Sequence, residues 1–368
     1  MNPILSKTPY TDEDGVYRFT LSGINVSLAN ALRRIILSEI PTVVFHTETY
    51  KDNKCKITKN TGRLHNEIIK QRLSCIPIHS EDPDLVEKYV LELKVKNETD
   101  SLIIVTTEDF KIKNKETGNY LKEEAVRKIF PPNPITGAYI DFIRLRPKVG
   151  DSIDGEDIEL TCEFMVKTAK DNAMYNVASK CAYGFTLDEE KAAKALEELK
   201  KQWESEGLTS EEISFNSKNF DLLDKQRYYL ENSYDYAIQT VGVYTNEKLV
   251  KKGAIILHNK FADFVKMVDE GIVPIVKSET AMENSYDVVL ENEDYTVGKV
   301  LEYILYEKYY LEEETLSFCG FKKLHPHNTS SIIRLAYNDK ADKAMVQQYL
   351  RAAGIMAGEV FKKIAEMF

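Results

Sequence analysis

Apolar residues recur at helical spacing in two stretches near opposite ends of the chain. They are Leu28, Ala31, Leu32, Ile35 and Ile36 within residues 27–36, and Val297, Val300, Leu301, Ile304 and Leu305 within residues 296–305. This spacing predicts two amphipathic helices, each with one buried face. The hydroxyls of Ser27 and Thr296 are the predicted N-caps. The match favours one helix present twice, although two unrelated amphipathic helices would share the periodicity.

Two longer stretches have apolar residues spaced alternately by four and three, which is a heptad seam. The first seam consists of Val250, Ala254, Leu257, Phe261, Phe264 and Val268, and the second of Val346, Leu350, Ala353, Ala357, Val360, Ile364 and Met367. Neither is long enough for a free coiled coil, so each long helix should cover a sheet or its counterpart helix. Strand-like segments precede both helices. We therefore predict two homologous halves that meet through a pseudo-twofold interface within one chain.

The region between these halves alternates short strand-like runs with turn signals, such as the Pro-rich segment at residues 131–134. It predicts a β-rich insertion, so the fold class of the whole chain is α+β. A charged helix is predicted at residues 187–205, with Thr186 as its N-cap in a capping box. Charge on most sides of a helix is typical of a solvated surface.

Three segments carry a resemblance to a known family. The segment NALRRI at residues 30–35, followed by Ile40-Pro41, resembles the dimerisation motif of alpha-type RNA polymerase subunits. This family includes bacterial alpha, its archaeal counterpart and the third subunit of eukaryotic RNA polymerase II. Residues 293–301 and 318–326 are similar to the small partner of that protein, which is the archaeal L-type chain or the eukaryotic eleventh subunit. The two partners are separate chains in cells, so this chain resembles a gene fusion, as in large nucleocytoplasmic DNA viruses.

The insertion also resembles that of the family, in the segments RLSCIPI at residues 72–78 and AKDNAMY at residues 169–175. In several relatives this insertion holds a cysteine cluster that binds zinc or an iron–sulfur cluster. Here Cys55 and Cys75 have no closely spaced partner, so no metal is predicted.

The resemblance implies an alpha-type dimerisation fold present twice in one chain, interrupted by the β-rich insertion. The predicted domains are a discontinuous alpha-type dimerisation domain at 1–45 and 181–270, an insertion domain at 46–180, a linker at 271–287 and a fused L-type dimerisation domain at 288–368.

The implied function is a noncatalytic assembly platform of a multisubunit DNA-directed RNA polymerase. The expected partners are the largest and second-largest subunits and small zinc-binding subunits similar to the tenth subunit. No homodimer and no direct sequence-specific DNA binding are expected. A viral protein of this kind would be in the host cytoplasm and the virion, and a cellular one in the nucleus or cytoplasm.

The resemblance also implies roles for individual residues. Those expected to face the second-largest subunit are Asn30, Arg33, Arg34, Lys170 and Tyr175. Those expected to pair the two halves are Leu28, Leu32, Ile35, Ile36, Leu257, Phe261, Phe264, Val297, Leu301, Ile304, Leu305, Leu350, Ala357 and Ile364. For Arg33 and Arg34, a solvated helix flank and phosphate binding remain alternatives.

Composition and motifs argue against other functions. Acidic residues outnumber basic ones by 59 to 49, giving a net charge of -10, which argues against a protein whose main task is to bind phosphates. The five cysteines are scattered without a C-x-x-C spacing, as is typical of reduced thiols in an intracellular protein. No apolar run approaches the roughly 18 residues of a membrane span, and no signal peptide is recognisable.

No catalytic residue and no cofactor are predicted, because the sequence contains no phosphate-binding glycine loop, nucleophile elbow or zinc-protease motif. The acidic run at residues 312–314 lacks the alternating spacing of polymerase metal sites. Cys319, His325 and His327 are better explained as a strand cysteine and a turn than as zinc ligands. The alternatives are a free-standing enzyme or ligand-binding protein built from a duplicated α/β unit, and a scaffold outside transcription.

Overall fold

The chain passes back and forth between two units in the computed structural model, which describes residues 1–7, 14–150, 153–278 and 282–368. The first unit contains Met1–Ile36, Lys180–Gln239 and Asn246–Phe368. The second unit contains Leu37–Ser179 and Thr240–Thr245.

Helices and strands are both abundant, so the α+β class is confirmed. In chain order the strands are β1 (Ile4–Lys7), β2 (Tyr17–Ser22), β3 (Thr42–Phe45), β4 (Cys55–Asn60), β5 (Tyr89–Lys96), β6 (Ile103–Thr106), β7 (Lys111–Asn114), β8 (Asp141–Leu145), β9 (Asp157–Lys167), β10 (Ala178–Leu187), β11 (Tyr229–Thr240), β12 (Ile275–Lys277), β13 (Ser285–Leu290), β14 (Leu316–Lys322) and β15 (Ser331–Tyr337). The α-helices are α1 (Val26–Ser38), α2 (Asn66–Ser74), α3 (Pro83–Lys88), α4 (Glu123–Ile129), α5 (Glu189–Ser205), α6 (Ser210–Asn219), α7 (Asn246–Asp269), α8 (Tyr295–Leu305) and α9 (Lys343–Met367).

The first unit contains two four-stranded sheets with corresponding strand orders, β1-β2-β11-β10 and β12-β13-β15-β14. In each sheet the strand that leads into a short amphipathic helix, β2 or β13, pairs antiparallel with the strand that leads into a long helix, β11 or β15. Successive side chains of a strand point to opposite faces of the sheet, so Tyr17, Phe19 and Leu21 of β2 are buried while Arg18 is exposed. Each sheet therefore has one face available to pack against helices.

Both short helices are capped two residues earlier than predicted. Asn25 Oδ1 accepts the Ser27 N–H at 2.9 Å before α1, and Asp294 Oδ1 accepts the Thr296 N–H at 2.8 Å before α8. The predicted N-caps Ser27 and Thr296 are therefore wrong. The Asn or Asp side chain reaches forward from just before the helix to an N–H of the first turn, so the hydroxyl residue lies inside that turn.

The cap of the charged helix also differs from the prediction. Asp188 caps α5, with its Oδ1 accepting the Lys191 N–H at 3.0 Å. Thr186 instead lies in β10, where its hydroxyl donates to Asp235 Oδ1 at 2.9 Å. The strand continues to Leu187, because it pairs with β11, and this pairing prevents a helical turn at Thr186.

The two long helices pack antiparallel against each other. Late residues of α7 meet early residues of α9, since Arg351 Nε lies 3.0 Å from Asp269 Oδ1. Further along the same pair, the His258 Nδ1–H donates to the Gly358 carbonyl at 2.9 Å, and the Phe261 and Phe361 rings stack at 5.8 Å. The heptad positions of both helices are buried except Met367, which is half-buried.

Two glycines set how closely these helices approach. A Cβ on Gly354 of α9 would lie 2.7 Å from Val265 Cγ2 and 3.2 Å from Phe264 Cδ1 of α7. A Cβ on Gly253 of α7 would lie 2.8 Å from Ile36 Cγ1 of α1. The backbone of α9 therefore packs directly on side chains of α7, and the backbone of α7 packs on α1.

The second unit is built on β9, which is the central strand of the sheet β3-β9-β5-β7 and also pairs with β4. A two-stranded sheet, β6-β8, and the helices α2, α3 and α4 complete it. The core contains five buried aromatic side chains, those of Phe45, Phe110, Phe130, Phe142 and Phe164.

Part of the predicted linker at 271–287 is a strand. Ile275 of β12 pairs with Val288 of β13 in an antiparallel register, and the Ile275 side chain is buried. Residues 279–281 of that linker lie outside the described residues. The apolar run around Ile275 has a sheet edge to join, so it is ordered by pairing and by burial.

Replacing Gly354 by leucine is expected to lower the free energy of unfolding by about 1–3 kcal/mol, because overlap with Val265 and Phe264 forces α7 and α9 apart. Gly184→Leu is the matched control, since a Cβ at Gly184 meets nothing within 4 Å. Urea titration followed by circular dichroism measures both variants. An unchanged midpoint for Gly354→Leu would contradict the close packing of the two helices.

Candidate functional site

Arg34, predicted to face another subunit, is engaged inside the first unit. Its Nε donates to Thr296 Oγ1 at 2.8 Å, and its Nη2 lies 2.5 Å from Asp294 Oδ2. Asp294 also caps α8, so one carboxylate serves both the helix end and the arginine. Arg34 on α1 therefore contacts the first turn of α8 with two parallel donors.

Several groups act on the Asp294 carboxyl at once. Burial by itself raises its pKa, but the N–H and hydroxyl of Thr296 and the Arg34 guanidinium together hold the pKa below its usual value. The carboxylate is therefore charged at neutral pH, as both its capping role and its pairing with Arg34 require.

Arg33 is held beside Asn30 on the same helix. Its Nε and Nη2 donate to Asn30 Oδ1 at 3.0 and 2.9 Å. Burial raises the pKa of Cys181 to about 12 and also raises that of Tyr183, while the Arg33 charge lowers both. The guanidinium thus lies over residues of β10, half-buried, with its orientation set by Asn30.

Residues 169–175, which contain the predicted contact residues Lys170 and Tyr175, lie in a loop of the second unit. This loop contains a short 3-10 turn, Ala173–Tyr175. Asn172 caps this turn through the Met174 N–H at 3.0 Å. The Lys170 N–H donates to the Ser38 carbonyl at 2.8 Å, and Lys170 Nζ lies 3.1 Å from Glu39 Oε1. Backbone and side-chain contacts therefore tie the loop to the residues that precede β3, with the Lys170 side chain exposed.

Tyr175 is buried, with 2% of its surface exposed. Its hydroxyl lies 3.0 Å from His46 Nδ1, and burial, with the nearby Glu48 carboxylate, raises its pKa to about 12. The Tyr175 phenol is therefore neutral and buried within this chain. Tyr175 therefore anchors the loop from inside the second unit, and its predicted contact with another subunit stays a prediction.

A cavity of about 430 Å³ opens beside this loop in the second unit. Most of the residues that line it are polar, and Tyr50 among them is 99% exposed. The residues that line it are Thr47, Glu48, Thr49, Tyr50, Asn53, Glu67, Lys70, Gln71 and Met174.

The residues predicted to pair the two halves are all buried in the first unit. They lie on α1, α7, α8 and α9. Their burial is compatible with that role, which itself stays a prediction. Sequence reasoning missed Asp294, although its position two residues before Thr296 is a recognisable capping signal.

Cys319, His325 and His327, which the sequence analysis weighed as zinc ligands, make hydrogen bonds to nearby groups. The His327 N–H donates to His325 Nδ1 at 3.1 Å within a turn, and the Cys319 thiol donates to the Glu302 carbonyl at 3.6 Å. Across the described ranges, no group of three or more His, Cys, Asp or Glu side chains is arranged to hold a metal ion. No helix in the described part of the chain is both long and apolar enough to cross a bilayer.

Comparison with protein families identifies a match. The profile described as the RNA polymerase Rpb3/Rpb11 dimerisation domain matches residues 18–261 of the 368. The matched segment begins in β2, includes the whole of the second unit and ends in α7.

Similar curated proteins include subunits of several polymerases. DNA-directed RNA polymerases I and III subunit RPAC1 of Homo sapiens is 23% identical over 303 residues, covering 71% of this chain and 83% of that protein. A conjugation stage-specific protein of Tetrahymena thermophila is 28% identical over 187 residues, covering 47% of this chain and 56% of that protein. DNA-directed RNA polymerases IV and V subunit 3B of Arabidopsis thaliana is 44% identical over 69 residues, covering 19% of each chain. The chain thus spans about half of the Tetrahymena relative and about a fifth of the Arabidopsis one.

A double-mutant cycle with Arg34→Ala and Asp294→Asn is expected to give a coupling energy of about 0.5–1 kcal/mol. The value is modest because the side chains are 36% and 38% exposed, so water screens the pair. Asparagine retains the cap, which isolates the charge interaction. The control cycle, Arg227→Ala with Asp224→Asn on an exposed pair, should give a coupling near zero. Equal couplings in the two cycles would contradict a specific role for Arg34.

The stability of the first unit should depend on pH through Asp294. Because its pKa is lower in the folded state, its stabilising contribution is present above the unfolded value of about 3.9 and is lost as the pH falls through the folded value. Thermal midpoints measured between neutral and strongly acidic pH should fall less steeply for Asp294→Asn than for the unaltered protein. Parallel curves would show that the carboxylate contributes nothing to this dependence.

Proposed function

Since the chain belongs to the RNA polymerase Rpb3/Rpb11 dimerisation domain family, we propose that it is a noncatalytic assembly subunit of a multisubunit DNA-directed RNA polymerase. The observation that carries the proposal is the family match over residues 18–261. Relatives named as polymerase subunits, including human RPAC1 and archaeal Rpo3, support the same role. A net charge of -10 also suits a protein that binds other proteins rather than nucleic acid.

The proposal includes a fusion of two dimerisation folds, residues 1–45 with 181–270 and residues 288–368, related by a pseudo-twofold axis. Three features support it: corresponding strand orders in the two sheets, an Asn or Asp cap at the same place before α1 and α8, and a long helix closing each half. The contacts of α7 with α9 and of Arg34 with Asp294 would then form an interface that is made between separate chains in unfused relatives.

Fusion has a kinetic and a thermodynamic consequence. A tether turns a bimolecular association into an intramolecular one, with an effective concentration on the order of millimolar. The pairing faces are occupied within one chain, so no homodimer is expected. A virus that assembles its polymerase in the host cytoplasm and packages it in virions would benefit from having the two halves already tethered. We therefore propose a viral origin for this chain.

The second-largest polymerase subunit is the proposed partner of Asn30, Arg33 and Lys170. Asn30 holds Arg33 in a fixed orientation, and a planar guanidinium suits carboxylate or carbonyl groups of a partner. Lys170 is exposed on an anchored loop. Arg34 is reassigned to the pairing of the two halves, and Tyr175 to positioning the loop. The largest subunit and a small zinc-binding subunit similar to the tenth complete the proposed assembly.

Affinity purification of the tagged chain from its native source tests the proposal. Mass spectrometry should find two large chains that carry acidic polymerase motifs, in stoichiometric amounts. Recovery of the chain alone, in salt gentle enough to preserve large assemblies, would overturn the assembly role and favour a free-standing protein.

The partner residues are tested in the same experiment. Arg33→Ala with Lys170→Ala should reduce recovery of the second-largest subunit by about tenfold, as expected for interface residues worth 1–2 kcal/mol. The control is Arg227→Ala, which removes an exposed arginine elsewhere in the first unit. Unchanged thermal midpoints establish that the variants are folded. Equal recovery with both variants would show that Arg33 and Lys170 are not at the interface.

A further inference from the structure

Two cysteines face each other across neighbouring strands of the second unit. Cys55, the first residue of β4, is directly opposite Cys162 of β9 in an antiparallel register. The Glu163 N–H donates to the Lys54 carbonyl at 3.2 Å, so residues 54 and 163 are a hydrogen-bonded pair. Hydrogen-bonded and non-hydrogen-bonded pairs alternate along an antiparallel ladder, and the cysteines therefore occupy a non-hydrogen-bonded position.

This position has the geometry that a disulfide needs. The Cα atoms of non-hydrogen-bonded pairs are about 4.5 Å apart, which lies within the range of about 4.4–6.8 Å found in disulfides. Both side chains are on the buried face of the sheet, 3% and 0% exposed, and the Cys162 thiol donates to the Glu163 carbonyl at 3.5 Å. We propose that Cys55 and Cys162 form a cross-strand disulfide when the protein meets a small-molecule disulfide such as oxidised glutathione.

The two thiols differ in their readiness to react. The neighbouring Cys162 thiol can donate to Cys55 once Cys55 is ionised, which holds the pKa of Cys55 below its usual value against the effect of burial. The Lys70 ammonium lowers this pKa further. The same hydrogen bond and deep burial raise the pKa of Cys162. Cys55 is therefore the thiolate that attacks first, and Cys162 is the thiol that resolves the intermediate.

The 430 Å³ cavity lies near Cys55 but is lined by its neighbours and not by Cys55 itself, so an oxidant reaches the thiol when the strand end opens. Asn53 lines that cavity, and its side chain makes two hydrogen bonds to the backbone of Cys55. Its Oδ1 accepts from the Cys55 N–H and its Nδ2 donates to the Cys55 carbonyl, both at 2.9 Å. Lys70 lines the cavity as well. Cys55 lies at the end of a strand that pairs with β9 alone, and strand ends open at low cost in free energy.

The reaction balances in two exchange steps. The Cys55 thiolate attacks one sulfur of glutathione disulfide, forming a mixed disulfide and releasing one glutathione, which takes up the proton. The Cys162 sulfur then attacks Cys55 Sγ, releasing a second glutathione with the Cys162 proton. Two protein thiols are oxidised and one small disulfide is reduced to two thiols. The product ties β4 to β9 and limits the conformations of the unfolded chain between the two cysteines.

The remaining cysteines have different environments. Cys75 is exposed. Cys181 on β10 and Cys319 on β14 belong to different sheets, and burial raises the pKa of each thiol to about 12. These three thiols are expected to remain unlinked, with Cys75 alone forming a mixed disulfide with glutathione. Cys75 therefore reports that the oxidant is active.

The test treats the whole chain with oxidised glutathione, blocks remaining thiols with an alkylating agent in denaturant, and maps non-reduced peptides by mass spectrometry. A peptide linking Cys55 to Cys162, without bound glutathione, is the expected result. Free, alkylated Cys55 and Cys162 in a sample whose Cys75 carries glutathione would overturn the proposal. So would a different linked pair.

Two cysteine variants test whether Cys55 reacts first with oxidised glutathione, as distinct from the two cysteines merely being close together. Cys162→Ala should trap glutathione on Cys55, whereas Cys181→Ala, the matched control, should leave the 55–162 link intact. If Cys162→Ala does not fold, hydrogen exchange of the unaltered chain replaces it. Oxidation should then slow exchange in β4 by about tenfold or more, because the strand can no longer open alone. Unchanged exchange in an oxidised sample would contradict the cross-link.

Discussion

The first unit depends on the antiparallel contact of α7 with α9. Each helix buries its heptad seam, apart from the half-buried Met367 of α9, and the contact is close because Gly354 presents backbone to Val265 and Phe264. Gly253 does the same where α7 packs on Ile36 of α1. Burial of this kind is a large favourable contribution, at about 25 cal/mol per Å² of apolar surface, and most of the stability of a helix within a protein comes from such packing. The sheets and short helices are arranged around that seam.

Polar contacts then determine the register of these elements. His258 donates to the Gly358 carbonyl, Arg351 pairs with Asp269, and Lys260 Nζ lies 3.2 Å from Glu293 Oε1. Apolar packing is tolerant of small shifts, whereas each of these contacts exists at one register only. Asp294 has two such roles, because the same carboxylate caps α8 and holds Arg34 of α1.

In the second unit, a buried polar network fixes the conformation of the loop that carries Lys170. Tyr175 and His46 are buried partners, and Thr47 Oγ1 lies 2.6 Å from Ser74 Oγ beneath the same loop. Such groups are costly to bury unless they are paired, so they specify one loop conformation. The exposed Lys170 is then presented from a well-anchored backbone. Cys55 and Cys162 lie opposite each other in the same unit, near a cavity lined by Asn53 and Lys70.

Local patterns along the chain were enough to predict the main helices and the family. The three-and-four spacing predicted α1, α7, α8 and α9, and the segment around Arg33 carried the resemblance that the family match supports. Tertiary contacts were needed to establish that Asn25 and Asp294 cap the short helices, that Arg34 points to α8 and that Tyr175 is buried. These outcomes depend on which distant residue lies within a few ångströms, and periodicity along the chain contains no information on that.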